Sequence, residues 1–136
     1  MNDRLLQIRS KLGDVEEDFL RTQEIKNDPL SNVLNYGSPV DREVAAFIAS
    51  VFSYGNVKQI QNTLDQVFAI LGETPAQALK KNSGSDWKKK IPSTFKHRFN
   101  TAQDLGCLLT WLGEALRRSE TLEDFFIAQQ ETEKIE

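Results

Sequence analysis

Residues 41–55 run Asp-Arg-Glu-Val-Ala-Ala-Phe-Ile-Ala-Ser-Val-Phe-Ser-Tyr-Gly, and the fold class follows from them. Val44 to Ala49, Val51 and Phe52 are apolar, so nearly every position would face protein rather than water. A helix apolar all round is either a core helix or a membrane span. The apolar run at 44–52 is far shorter than the roughly 20 residues a bilayer requires. Its three alanines favour helix and allow close approach by neighbours. Asp41 is placed to act as N-cap, Glu43 to meet the helix dipole in the first turn, and Gly55-Asn56 to stop the helix. The stretch therefore predicts a buried central helix over 41–54, wrapped on most sides.

Working outward, Val57, Ile60, Leu64, Val67, Phe68 and Leu71 recur at helical spacing, and Gly72 ends that amphipathic helix. Thr74-Pro75-Ala76-Gln77 has the form of a capping box with Pro at the first helical position, opening a short helix that runs out near Lys81. Residues 80–100 are the least regular part, anchored by Trp87, Ile91, Phe95 and Phe99. Thr101 and Asp104 open a helix that turns Leu105, Leu108, Leu109, Leu112 and Leu116 inward, and Thr121 opens another with Leu122, Phe125 and Phe126.

Upstream, Leu5, Leu6, Ile8 and Leu12, then Val15, Phe19, Leu20 and Ile25, mark one long helix or two short ones. Lys26 to Pro29 form a turn before a short apolar segment ending at Tyr36. No alternating β-branched run occurs. The expected architecture is all-α, an orthogonal bundle of about six to seven helices around the 41–54 helix. Residues 1–128 are expected to form one domain, with 129–136 a polar, frayed tail.

The bulk properties narrow the function classes. With 136 residues, 39% apolar and 27% charged, the chain is long enough for one domain with a core. The single cysteine, Cys107, excludes an internal disulfide and a cysteine-based zinc site within one chain; within LGCLLTWL it is expected to be a small buried hydrophobe. No apolar segment follows the charges of MNDRLLQIRS, so neither a signal peptide nor a membrane association is expected, and the cytoplasm is the expected location. The net charge of −3 is unevenly spread: residues 80–100 hold 7 basic groups and 1 acidic one, a local +6 in an acidic chain.

That block contains Lys80, Lys81, Lys88, Lys89, Lys90, Lys96 and Arg98, interleaved with Trp87, Phe95 and Phe99. Cations beside aromatics suit a nucleic-acid backbone with stacked bases. The competing reading is a solvated loop whose aromatics tie it to the core. His97, the only histidine, has no metal or acid–base partner nearby in sequence and is expected to be a surface or core-edge polar residue. No phosphate loop, nucleophile elbow or metal spacing occurs, so no catalytic residue, cofactor or metal is assigned.

Asp28-Pro29-Leu30, Asp41 to Ala45, Phe52-Ser-Tyr-Gly-Asn56, Lys96-His97-Arg98-Phe99 and Asp104-Leu105 together resemble the uncharacterised bacterial family called domain of unknown function 2400. That family is in turn distantly similar to helix-hairpin-helix DNA glycosylases, whose first all-α half has a buried helix ending in a substrate-facing loop. The resemblance implies that Tyr54 and Asn56 follow the buried helix as wedge or contact residues beside a flipped base. The other reading makes them a helix end, with Gly55 as a left-handed cap and Tyr54 packed nearby.

Members of the family typically run longer, with a Leu-Asp-Thr-His segment in the second half that resembles the catalytic helix. This sequence has no such segment and no Gly-x-Gly hairpin, so it is expected to be the N-terminal half only. Two functions follow. The first is a nucleic-acid-binding module, DNA its partner, using Tyr54, Asn56, Lys88, Lys89, Lys90, Lys96 and Arg98. The alternative is a helical interaction or homo-oligomerisation module that exposes apolar surface at Leu109, Trp111 and Phe125 or Phe126.

Overall fold

The computed structural model describes residues 3–21 and 28–133. Among them the chain forms eight helices: α1 (Asp3–Arg21), α2 (Leu30–Leu34), α3 (Pro39–Phe52), α4 (Val57–Leu71), α5 (Pro75–Lys81), α6 (Gly84–Lys90), α7 (Ala102–Arg118) and α8 (Leu122–Glu133). Between α6 and α7 lie two short strands, β1 (Lys96–His97) and β2 (Asn100–Thr101). They pair antiparallel, Lys96 opposite Thr101 and His97 opposite Asn100. The all-α class holds, and the small hairpin corrects the expectation of no strand at all. No helix among the described residues is long and apolar enough to cross a membrane.

α3 packs against α2, α4 and α5, and α7 against α5, α6 and α8. The buried apolar residues of α3 are Val44, Ala45, Ile48, Ala49 and Phe52, which form one stripe at helical spacing. Ala46 and Val51 are exposed, so α3 is not wrapped on most sides. Alanine tolerates either environment, which is why the composition overstated the burial.

The caps are the larger correction. Ser38 precedes α3 and Pro39 takes its first turn, so Asp41 is not the N-cap. Asp41 is buried instead, and its Oδ1 accepts the Ala76 N–H of α5 at 2.9 Å. Thr74 makes no side-chain cap, because α3 supplies that acceptor from across the core. Glu43 behaves alike: its two carboxylate oxygens accept the Leu122 and Glu123 N–H groups of α8 at 2.9 and 2.8 Å. Free N–H groups at a helix start need acceptors, and here two come from one turn of a different helix.

α4 ends as expected at Gly72, whose φ is +74°. The region 80–100 is more regular than its composition implies. Asp86 accepts both the N–H and the Oγ–H of Ser83 at 2.8 Å, and Asp104 accepts the same groups of Thr101 at 2.7 and 2.9 Å. The same Ser/Thr-x-x-Asp spacing thus opens both α6 and α7. Trp87, Ile91 and Phe95 are buried, whereas Phe99 is 86% exposed and anchors nothing. Cys107 is also exposed, contrary to expectation. The inward face of α7 carries Leu105, Leu109, Leu112 and Leu116, and a residue two places beyond Leu105 is rotated by about 200°.

At the N-terminus the first two apolar groups belong to one helix, α1, and residues 3–18 are exposed throughout. The turn at Lys26-Asn27 and the position of Ile25 lie outside the described residues. α8 continues through Glu133, while 134–136 lie outside them.

The Ser83 and Thr101 hydrogen bonds hold the Asp86 and Asp104 carboxyls below the usual 3.8. A carboxyl whose pKa falls on folding adds stability above its unfolded value and loses it as pH drops through the lower folded value. Asp86→Asn/Asp104→Asn will therefore be less stable than the parent at pH 7, and the gap will close as the pH falls below 3.8. Urea melts across that range test this; a gap independent of pH would contradict it.

Candidate functional site

The loop after α3 and the β1–β2 hairpin meet at one place, and His97 holds them together. Its ring is 2% exposed, so it is a core residue rather than a surface one. Nε2 lies 3.0 Å from the Tyr54 carbonyl, and a carbonyl only accepts, so Nε2 carries the hydrogen. Nδ1 then accepts the Thr63 hydroxyl of α4 at 2.7 Å. The ring also meets Phe52 and Tyr54 edge-on, with centroids 5.4 and 4.7 Å apart. In return the Tyr54 hydroxyl donates to the His97 carbonyl at 3.1 Å and accepts from Asn100.

Residues 98–99 form the two-residue turn of the hairpin. Arg98 has φ +54°, the left-handed region that favours glycine, and holding an arginine there costs about 1 kcal/mol or more. Its side chain crosses Gly55, where φ is +107° and a Cβ would come within 3.2 Å of Arg98 Cδ. Gly55 is thus needed for its conformation, and a side chain there would also press on the arginine above it. α3 itself has already ended at Phe52, so Gly55 belongs to the loop rather than to the cap.

Beside the turn lies an open cleft of about 570 Å³. One wall is α4, with Gln59, Asn62, Thr63 and Gln66; the other is Lys96, His97, Arg98 and Phe99. The lining has two full cations and no carboxylate, in a chain of net charge −3. Gln59, Asn62 and Gln66 follow helical spacing, so α4 turns a stripe of amides toward the hairpin.

The residues singled out from sequence divide into two sets. Lys96 and Arg98 line the cleft. Tyr54 is half-buried with its hydroxyl engaged, and Asn56 caps α4 through Oδ1, accepting the Gln59 N–H at 2.9 Å. Lys88, Lys89 and Lys90 sit in the last turn of α6, which packs on α7, and do not line the cleft. The Lys90 ammonium lies 5.6 Å from the Trp87 ring centroid. Gln59, Asn62 and Gln66 were missed, although the polar face of the amphipathic 57–71 pattern already contained them. Among the described residues, no three His, Cys, Asp or Glu side chains come together in a way that could hold a metal.

A search of curated proteins and one of solved structures each found no match. One family model does match, over residues 28–136, from before α2 to the last residue. Residues 52–56 and 96–99, the two segments that His97 joins, both fall inside it. The chain belongs to the protein family of unknown function DUF2400.

Proposed function

We propose that the chain binds nucleic acid with an unstacked or missing base in the cleft between α4 and the hairpin. The observation that carries this reading is Phe99, 86% exposed at the tip of a strained turn and beside a lining without carboxylates. An exposed aromatic stacks a base of any sequence, contributing about 1–3 kcal/mol. Lys96 and Arg98 meet phosphates on either side of it, and the α4 amides offer donors and acceptors to a base edge. Lys88, Lys89 and Lys90, on α6 and outside the cleft lining, are assigned to the nucleic-acid backbone beyond the cleft. Tyr54 and Asn56 act from behind the lining, Tyr54 by holding His97 and Asn100 and Asn56 by capping α4. The resemblance to helix-hairpin-helix glycosylases supplies the choice of DNA, and of a base-opened site, as the target; no catalytic residue is proposed.

Fluorescence anisotropy with intact and abasic duplex DNA at two salt concentrations tests the reading. Phe99→Ala should weaken abasic binding about tenfold and abolish the preference over intact duplex. Lys88/Lys89/Lys90→Ala should weaken both duplexes alike and flatten the salt dependence. Absence of binding at low salt, or a Phe99→Ala variant that still prefers the abasic duplex, would refute it.

A second reading is favoured by a separate observation. Phe47, Trp111, Phe125 and Phe126 form a ring cluster, and Trp111 and Phe126 are each 41% exposed. This face supports an interaction module, although Leu109 is fully buried and takes no part in it. A chain that remains monomeric and binds DNA would count against this alternative.

A further inference from the structure

α1 lies outside the family match and outside the cleft. Its apolar residues Leu5, Ile8, Leu12 and Val15 are 60, 46, 64 and 65% exposed. Their spacing alternates between three and four residues, and Phe19 continues it in sequence. That is the a/d pattern of a two-stranded coiled coil. A helix of 19 residues with Leu5, Ile8, Leu12 and Val15 in water is marginal, so its stability calls for a partner.

The charges decide which partner. Taking Leu5 as an a position, Arg9 and Glu16 occupy e, while Lys11 and Asp18 occupy g. In an antiparallel pair e faces e and g faces g. Setting Leu12 against the partner's Val15 puts Ile8 level with position 19 along the partner's helix backbone. The same register brings Arg9 to the partner's Glu16 and Lys11 to the partner's Asp18, each twice by symmetry. A parallel pair would instead set Arg4 against the partner's Arg9, like against like, and would keep only one attractive contact, Lys11 with the partner's Glu16, where the antiparallel pair has two. Flanking charges select orientation in such pairs.

We infer that the protein forms a homodimer through α1, antiparallel, with a second copy of this chain covering the stripe. In this register residues 6–21 of the two α1 helices overlap, sixteen residues, and Leu5 lies just beyond the overlap, so the dimer is weak and concentration-dependent.

Sedimentation equilibrium of the full chain, over a range of concentrations, tests this. The parent should show a monomer–dimer equilibrium. Leu12→Lys should be monomeric throughout, with the urea midpoint of the rest of the chain unchanged, since Leu12 is 64% exposed in the monomer. Arg9→Glu should weaken the dimer about tenfold, and Arg9→Glu/Glu16→Arg should restore it. A parent that stays monomeric, or a dimer that survives Leu12→Lys, overturns the inference. A dimer strengthened by Arg9→Glu overturns the antiparallel orientation, because only the parallel pair gains from it.

Discussion

Gly113→Ala should destabilise the protein by about 3 kcal/mol, although alanine is the better helix former by about 1 kcal/mol. Gly113 is buried in α7 where that helix crosses α5, and a Cβ there would lie 2.4 Å from the Leu79 carbonyl oxygen. The contact is to backbone, so no rotamer change relieves it. Nor can α5 slide away. Its first turn is tied to α3 through Asp41 and the Ala76 N–H, and its last through Arg117, which donates to the Lys80 carbonyl at 3.0 Å. The Leu79 side chain is fully buried between these ties.

Gly106 provides the control on the same helix. A Cβ there meets only Ile91 Cδ1, at 3.8 Å, an ordinary contact. Gly106→Ala should therefore stabilise the protein by about 0.5–1 kcal/mol through helix propensity and the lost freedom of the unfolded chain. Urea melts of both variants check the pair. If Gly113→Ala proved as stable as the parent, the close approach of α5 and α7 would not exist as described.

His97→Ala should lower stability by about 3–4 kcal/mol, for a different reason. The truncation opens a cavity beside Phe52 and Tyr54, and it strips the buried Thr63 hydroxyl and the Tyr54 carbonyl of their partners. His97→Phe separates the two effects. It fills the space with a slightly larger apolar ring but leaves both polar groups unpaired, and should cost about 1–3 kcal/mol. Both variants loosen the hairpin from α4, so both should weaken abasic DNA binding even under conditions where the chain is folded. Urea melts together with anisotropy measure this. Wild-type stability in His97→Ala would mean that the hairpin is not coupled to the core.

These two predictions differ in how visible their residues are in the sequence. A glycine within Leu-Leu-Thr-Trp-Leu-Gly-Glu-Ala-Leu shows only that something unusual occurs in a helix; that a carbonyl of α5 occupies its missing side chain is a fact about two helices. His97 lies between Lys96 and Arg98, and two charged neighbours gave it the look of a surface residue. In the short β1 strand, however, alternate residues face opposite sides. Lys96 therefore reaches the cleft while His97 enters the core, and the left-handed turn that follows brings Arg98 back to the cleft side. Cys107 shows the converse error: its apolar neighbours were taken as its environment, while the helical period turned it outward.

The sequence by itself determined the all-α class, the end of α4 at Gly72 and the cap at Thr101 that opens α7. Those signals act within one or two turns, and the residues that carry them are neighbours along the chain. Only the tertiary structure decided that Asp41 caps α5 across 35 residues and that Glu43 caps α8 across 79. It alone joined residues 54 and 97 through His97, 43 positions apart, and so set the exposed Phe99 beside a carboxylate-free cleft. An acceptor placed at a helix start by packing satisfies the same N–H as a local cap would. Local spacing therefore predicts that each helix start needs a cap, and the packed core selects which residue supplies it.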